Sequence, residues 1–381
     1  MNTTKLNKTV CFFGTYDGSF TSNKLMLNAF KKIGVKVVEV NAEIKITRLD
    51  SKKEMNWMNL ITRFLKKFTI ISAVFKNWNE IKKCDVIYVG YPGHFDVFFA
   101  WPVAKLFGKK LVFNPLLIIY IGFSEEQGIL DKKSIMGLLA KHGESFLYNL
   151  CDMVFADTPL QEKFLIERLK VKKEKIRVLP IGADDSYYKY TDYTNLEKKL
   201  NVMYYGLYSP IHGVDYIIEA AHILKNDKDI IFTFVGNGNT FQRNYDSAQK
   251  LGLQNCVFYN NTPLDQHPAI IEKGDIFLGF LEKHPSVDRI IPNKIYQGLA
   301  LNKVVLTADA PVTRSLFTHK ENMYLVEPAN PKILADALVE LKNNPELRKH
   351  IAESGNKLFN DNFKPEKVAT KFIEFISEFD N

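Results

Sequence analysis

Short apolar runs alternate with longer amphipathic segments along the whole chain. Val10–Phe13, Val86–Val89 and Met153–Ala156 have the length and composition of buried strands. Val202–Ala221 and Ile230–Asn239 are apolar strands that break at glycine and pass into a helix. Repeated strand–loop–helix units predict an α/β protein with parallel sheets, in which ligands bind where strand ends meet helix starts.

The length of 381 residues is too great for one compact core and predicts two domains. We expect a first domain over 1–190, a second over 191–362 and a terminal helix over 363–381. The polar, tyrosine-rich segment 184–199 is interpreted as the linker. Pro365–Phe379 has the apolar spacing of an amphipathic helix.

Several blocks in the second half follow one another in a fixed order. They are a strand ending at Gly206, SPIHGVDYIIEAA, VGNG at Val235–Gly238, GDIFLGF at Gly274–Phe280, and PNKIYQGLALNKVV. From about 201 to 363 this order resembles the nucleotide-binding half of the retaining family 4 glycosyltransferases. The resemblance implies the GT-B fold, in which two Rossmann-like parallel-sheet domains face each other across a cleft and a C-terminal helix crosses back to the first domain.

The resemblance also implies a nucleotide-sugar donor site. Glycines there permit close approach of the backbone, although tight turns alone also explain them. The predicted donor-binding residues are Gly14, Gly206, His212, Gly236, Asn237, Gly238, Arg289, Asn293, Lys294, Ile295 and Gln297.

The chain departs from the family at the positions that hold the diphosphate. Leu207 and His212 stand where family members usually have an arginine and a lysine, and Gln297 replaces a glutamate that contacts ribose. We hypothesise that Lys294, Arg289 and His212 together replace the missing pair. A neutral His212 would donate one hydrogen bond, and a protonated His212 would add charge below about pH 6.5. A solvated helix-start lysine is the alternative for Lys294.

Loops after the strands of the first domain are expected to receive the acceptor. Asp17 and His94 are candidate sugar-hydroxyl ligands and, with Gln297, the predicted catalytic residues; a structural role for His94 is equally open. In the family the leaving phosphate helps to deprotonate the acceptor. No metal is expected, because the one Asp-x-Asp, Asp227–Asp229, is interpreted as a solvated turn. No cofactor is expected either, because the nucleotide-sugar is a substrate.

The segment 51–83 has eight basic residues against two acidic ones, while the whole chain carries a net charge of +8. Its apolar spacing predicts a basic amphipathic helix at about 52–83. Such a helix either packs on the sheet or binds an anionic membrane surface. The predicted membrane-binding residues are Trp57, Arg63, Lys66, Lys67 and Trp78.

Together these features predict a retaining, metal-independent glycosyltransferase that moves a sugar from a nucleotide-sugar to a glycan or polyprenyl-linked acceptor in cell-surface polysaccharide synthesis. No nucleic-acid motif is present. The N-terminus lacks a signal peptide, so we expect a cytoplasmic protein, with peripheral attachment to the cytosolic membrane face. The alternatives are a non-catalytic nucleotide-sugar-binding subunit and a GT-B isomerase acting on a sugar nucleotide.

Overall fold

The computed structural model describes residues 8–16, 21–43, 67–126, 130–193, 199–260 and 266–380. The chain forms two compact units, the first comprising 1–181 with 365–381 and the second comprising 182–364. The first boundary lies at 181, before the predicted one at 190, and Tyr188 in the intervening segment hydrogen-bonds Gln297 of the second unit.

The described part of the first unit holds a six-stranded parallel sheet in the order β2-β1-β3-β4-β5-β6. Its strands are Thr9–Gly14 (β1), Lys36–Asn41 (β2), Val86–Val89 (β3), Lys110–Phe113 (β4), Met153–Ala156 (β5) and Ile176–Val178 (β6). The interiors of β1, β3, β4 and β5 are almost wholly buried, which confirms these apolar runs as strands.

Helices cover both faces of this sheet. In chain order they are Thr21–Lys32 (α1), Ile70–Lys76 (α2), Trp78–Lys83 (α3), Asp96–Phe107 (α4), Ile119–Ile121 (α5), Ile135–Leu150 (α6) and Pro159–Leu169 (α7). Short turns of helix occupy Lys67–Thr69, Gly122–Glu126 and Lys173–Lys175. Helices α2, α4, α6 and α7 share one core, and α1 lies in the core of the other face.

The second unit holds a six-stranded parallel sheet in the order β12-β11-β10-β7-β8-β9 within its described residues. The strands are Leu200–Tyr205 (β7), Ile230–Val235 (β8), Cys256–Tyr259 (β9), Ile276–Leu278 (β10), Val304–Ala308 (β11) and Tyr324–Val326 (β12). The chain leaves β7 toward β8 and returns on its other side at β10. The carboxyl end of β7 is therefore the point where the strand order reverses, the usual ligand position in such sheets.

The helices of the second unit again lie on both faces of its sheet. They are Val214–Ile223 (α8), Phe241–Lys250 (α9), His267–Ile271 (α10), Asn293–Ala300 (α11), Pro311–Leu316 (α12), Pro331–Asn343 (α13) and Pro345–Asn362 (α14). A turn of 3-10 helix at Pro210–His212 precedes α8.

The last helix, Pro365–Ile376 (α15), belongs to the first unit and is followed by a turn at Ser377–Asp380. The Phe372 ring lies 4.9 Å from that of Phe30 and 5.3 Å from that of Tyr88. This apolar packing confirms that the terminal helix returns to the first domain.

The single helix predicted at about 52–83 is wrong in its described part, 67–83. Helix α2 ends at Asn77, whose backbone N–H and side-chain Nδ2 both donate to the Ala73 carbonyl, and α3 begins afresh at Trp78. Residues 52–66 lie outside the described residues. None of the helices within the described ranges is long and apolar enough to cross a membrane.

Candidate donor site at the carboxyl end of the second sheet

A buried lysine lies at the carboxyl end of β7, where the strand order reverses. Lys294, in the first turn of α11, is 7% exposed, and its Nζ lies 3.5 Å from the position that a Cβ on Gly206 would occupy. Glycine at 206 therefore leaves the space in front of the ammonium group open. The predicted alternative of a solvated lysine is wrong for Lys294.

Burial lowers the pKa of Lys294 to about 7. No carboxylate among the described residues lies within ion-pair distance of its Nζ; the ammonium group lies instead 4.1 Å from the centre of the Tyr204 ring. A buried cation without an anionic partner destabilises the folded protein. A bound anion would supply the missing charge.

His212 joins Lys294 but stays neutral. Its Nδ1 lies 3.5 Å from Lys294 Nζ and 2.7 Å from the Tyr204 hydroxyl, which itself donates to the Leu207 carbonyl over 2.7 Å. Burial, and then the charge of Lys294, hold the pKa of His212 well below its usual range. Of the two states open for His212, the neutral one is favoured, because two cations buried side by side repel each other.

The Tyr204 hydroxyl links His212 to the loop that follows β7. It donates to the Leu207 carbonyl, which can only accept, and its oxygen lies 2.7 Å from His212 Nδ1. The same Nδ1 lies 3.5 Å from Lys294 Nζ. His212 is therefore held beside Tyr204 and Lys294 and, in its neutral state, does not contribute a positive charge.

Gln297 is held between two tyrosines. The Tyr205 hydroxyl donates to its Oε1 over 2.6 Å, and the amide also hydrogen-bonds the Tyr188 hydroxyl. These bonds occupy much of the hydrogen-bonding capacity of the Gln297 amide, which the family resemblance assigns to a ribose contact. Sequence reasoning missed all three tyrosines, 188, 204 and 205; the two consecutive tyrosines at the end of an apolar strand were the available signal.

The two glycine loops pack directly on each other. A Cβ on Gly236 would lie 2.1 Å from the Gly206 carbonyl oxygen, and one on Gly238 would lie 2.7 Å from the Tyr208 nitrogen. Tyr208 N–H donates to the Asn237 carbonyl over 3.0 Å, while the Asn237 side chain is exposed. Contact between loops therefore explains why glycine is needed at 236 and 238.

The start of α11 supplies the remaining predicted residues. Asn293 is its first residue, half-buried, and Arg289 is half-buried in the preceding turn. Ile295 is wholly buried, and its Cδ1 would lie 2.7 Å from a Cβ on Gly279. Ile295 is thus a core residue, and its prediction as a donor contact is corrected, since an apolar residue one position after Lys294 turns toward the sheet.

In the first unit, His94 is a buried residue of the helix layer. It is 4% exposed, its ring lies against Phe113, and its Nε2 is 3.3 Å from both the Tyr148 hydroxyl and Glu144 Oε1. Glu144 in turn accepts from the backbone N–H groups of 119 and 120. Of the two roles open for His94, these contacts favour the structural one. Asp17 lies outside the described residues.

Lys67, which was predicted to bind a membrane, forms an ion pair within the first unit. Its Nζ lies 2.6 Å from Asp96 Oδ1 and 2.6 Å from Thr15 Oγ1, next to Gly14 at the end of β1. Trp78 packs its ring 4.6 Å from that of Phe107. The membrane prediction is therefore corrected for Lys67, because a buried carboxylate neutralises it; Trp57, Arg63 and Lys66 lie outside the described residues.

Asp227, the first residue of the Asp-x-Asp sequence, forms an ion pair with Lys342 of α13. Its neighbour Asp229 uses its N–H to bond the same carboxylate over 3.1 Å. These contacts assign Asp227 to a structural turn.

Comparisons with known proteins agree with this architecture. Residues 191–358 match the family described as glycosyl transferases group 1. Anabaena HepE, solved with UDP-glucose, aligns over 97% of this chain and 99% of its own at a TM-score of 0.67 and 15% identity. Sucrose-phosphate synthase from Thermosynechococcus elongatus aligns over 98% and 99% at a TM-score of 0.70 and 13% identity.

Two relatives found by sequence are also named as glycosyltransferases. An uncharacterised glycosyltransferase of Methanocaldococcus jannaschii is 25% identical over 85% of this chain and 87% of its own length. WcaI of Escherichia coli, named as a candidate glycosyl transferase of colanic acid biosynthesis, is 33% identical, but the match spans only 30% of this chain and 28% of WcaI. The predicted fold is confirmed: the chain has the GT-B architecture, and its residues 191–358 are similar to glycosyl transferases group 1.

Proposed function

We propose that the protein is a retaining glycosyltransferase that takes its sugar from a nucleoside-diphosphate donor, without a metal, and transfers it to a glycan or polyprenyl-linked acceptor in cell-surface polysaccharide synthesis. The observation that carries the donor class is Lys294, a buried cation without a carboxylate partner at the strand-order reversal. HepE, of the same fold, was solved with UDP and with UDP-glucose.

The diphosphate would lie in front of Gly206. Lys294 Nζ faces that space, and the first backbone N–H groups of α11, at 293 and 294, add donors and the positive end of the helix dipole. A dianionic diphosphate neutralises the buried ammonium group, so binding removes an energetic cost already present in the empty site. A metal ion is not needed to supply this charge.

A non-catalytic nucleotide-sugar-binding subunit is the second candidate function. The specific observation in its favour is the neutral state of His212 and the engagement of Gln297 by Tyr205 and Tyr188. These two positions differ from the family pattern, and their contacts here are within the protein. Such a subunit would bind the donor and leave it intact.

Turnover distinguishes the two. The protein is incubated with each common sugar nucleotide and a membrane lipid extract, and the release of nucleoside diphosphate is followed together with the anomeric configuration of the product by NMR. A transferase releases diphosphate only when acceptor is added and keeps the configuration of the donor. Binding of a donor without release under any acceptor would favour the subunit.

Donor affinity is expected to fall as pH rises above about 7. Burial lowers the pKa of Lys294 to about 7 in the empty site, and a bound diphosphate raises it again. Binding above pH 7 therefore takes up a proton, and affinity drops by up to about tenfold per pH unit between pH 7.5 and 9.5. Titration calorimetry in buffers of different ionisation heat measures the uptake directly; an affinity independent of pH over this range would contradict the assignment.

The same pKa gives a prediction for the unliganded protein. The unfolded chain, in which the lysine has its ordinary pKa, binds the proton more tightly than the folded chain, so the free energy of unfolding rises from pH 7 toward pH 10 at this site. The destabilisation is complete below about pH 7. His212 contributes in the same sense, but only up to about pH 7.5, because its pKa is lowered in the folded protein and has its ordinary value of about 6.5 in the unfolded chain.

A further inference from the structure

The outer surface of α4 is apolar. Its solvent-facing stripe consists of Phe98, Trp101, Pro102, Lys105 and Leu106, with Lys105 as the one charged member. Leu106 is 65% exposed. In a helix whose outer side faces water, these positions usually hold polar residues. Helix α4 therefore has apolar residues where polar ones are expected.

Helix α6, beside α4, has the same reversal. Ile135 is 78% exposed, Leu139 62% and Phe146 59%. None of the exposed positions of α6 holds a lysine, arginine, aspartate or glutamate. Helices α4 and α6 pack on the same face of the first sheet through Ala100 and Leu147, so their outer stripes lie side by side.

Helix α2 extends this surface past α4. Phe75 is 68% exposed, and the Phe68 ring just before α2 lies 5.1 Å from that of Phe99 in α4. The outer surfaces of α2, α4 and α6 are called the apolar face below. Monomeric proteins in water rarely leave an apolar surface contributed by three adjacent helices uncovered.

Helix α7 shows that this is not a general property of the layer. It packs in the same core as α4 and α6, yet its exposed residues include Lys163, Glu167 and Arg168, and the first two form an ion pair. The apolar face is therefore local to α2, α4 and α6. A binding partner is the ordinary reason for such a local change.

The charges at the border of the apolar face are mostly positive. Lys76 lies at the end of α2, Lys105 in the last turn of α4, and Lys132 and Lys133 just before α6. Two acidic residues lie near the start of α6: Glu125 pairs with Lys132 over 2.9 Å, and Asp131 accepts from the Lys133 backbone N–H. No exposed residue of α2, α4 or α6 is acidic, so an apolar surface with an excess of lysine at its border complements the headgroups and acyl boundary of an anionic bilayer.

We infer that the apolar face is a docking surface for an anionic lipid bilayer, with Leu106, Ile135 and Leu139 entering the acyl boundary. This contact differs from the one predicted from 52–83: it keeps Phe75 and Lys76 of that segment, adds α4 and α6, and leaves Lys67 buried against Asp96. In a parallel α/β unit the helices begin at the carboxyl edge of the sheet. Ile135 and Leu139, in the first two turns of α6, therefore lie near the carboxyl-edge loops, whereas Leu106 lies at the opposite end of α4.

Vesicle co-sedimentation tests the inference with full-length protein. We expect binding to vesicles of phosphatidylcholine with about one-third phosphatidylglycerol and much weaker binding to phosphatidylcholine alone. The variant L106Q/I135Q/L139Q is expected to lower the partition coefficient at least about tenfold. The matched control, I231Q/L251Q/I333Q, changes exposed apolar residues of the second unit and should bind as the unmodified protein does.

A second variant and a second readout keep the test independent of folding. K76E/K105E should lose the preference for anionic vesicles, and brominated lipid should quench unmodified protein more than Trp101→Phe. Nucleotide affinity of all variants should stay unchanged, which separates this inference from the proposed donor site. Unaltered vesicle binding by both variants, no binding by unmodified protein, or a dimer that L106Q/I135Q/L139Q dissociates without vesicle effects would overturn it.

Discussion

Replacing Lys294 by methionine is expected to weaken nucleoside-diphosphate binding about a hundredfold and, at the same time, to stabilise the unliganded protein. The affinity loss corresponds to about 2.7 kcal/mol, within the range of one or two charge-assisted hydrogen bonds to phosphate. The stabilisation, about 2 kcal/mol at pH 7, follows because methionine fills the same buried space without a charge.

These opposite signs make the result specific. A lysine that merely supported the fold would lose both stability and affinity when replaced. Lys303→Met is the matched control: burial also lowers the pKa of Lys303, but Asp275 and Glu272 lie near enough to oppose that shift. We expect Lys303→Met to leave nucleotide affinity unchanged. Calorimetric titration and urea unfolding measure the two effects; unchanged affinity in Lys294→Met would contradict the site.

Replacing Gly236 by alanine is expected to lower the free energy of unfolding by about 3 kcal/mol and to abolish measurable donor binding. The new Cβ would lie 2.1 Å from the Gly206 carbonyl oxygen, and Gly236 has a φ of +124°. The carbonyl belongs to backbone at the end of β7, so the clash is relieved only by separating the two loops. That separation moves Gly206 away from Lys294.

Gly252→Ala isolates the backbone effect from the clash. Gly252 also has a positive φ, +64°, but no heavy atom lies within 4 Å of the position of its Cβ. Alanine there should cost only about 1 kcal/mol and leave donor affinity unchanged. If Gly236→Ala were no more damaging than Gly252→Ala in denaturant unfolding, the packing of the two loops would not be what requires glycine.

Much of the fold could be predicted because parallel strands are buried on both faces and appear as continuous apolar runs. Val86–Val89 and Met153–Ala156 are of this kind, and both are strands with the predicted bounds. Thr158 and Gln161 mark the start of α7 by a side-chain cap that the sequence shows directly. These signals depend only on residues close in sequence, so they can be recognised without knowledge of tertiary contacts.

The helix predicted across 52–83 failed in its described part for the opposite reason. Its apolar spacing continues past residue 77, so periodicity alone gives no boundary there. The boundary lies where the Asn77 side-chain amide donates to the Ala73 carbonyl. The position of the Lys67 side chain is set by Asp96, which lies 29 residues away in the sequence. Contacts at that separation cannot be read from a pattern.

The candidate site was likewise only partly predictable. The ordered blocks indicated Lys294, Gly206 and Gly236, and the structure brings Lys294 and Gly206 together. The neutral state of His212 was one of two open alternatives, and the sequence could not choose between them, because the choice depends on burial beside a second cation. Tyr204 and Tyr205, which contact His212 and Gln297, were not predicted, since a tyrosine in an apolar strand is usually a core residue.

The central claim is that the carboxyl end of β7 binds a nucleoside diphosphate through Lys294. Thermal unfolding of the unmodified protein and of Lys294→Met, each with a panel of nucleoside diphosphates and sugar nucleotides, tests it most directly. At a hundredfold excess over the dissociation constant, a ligand of the unmodified protein should add about 2.7 kcal/mol of stability, and Lys294→Met should lose most of that gain. Absence of stabilisation by any member of the panel, or equal stabilisation of both proteins, would contradict the claim.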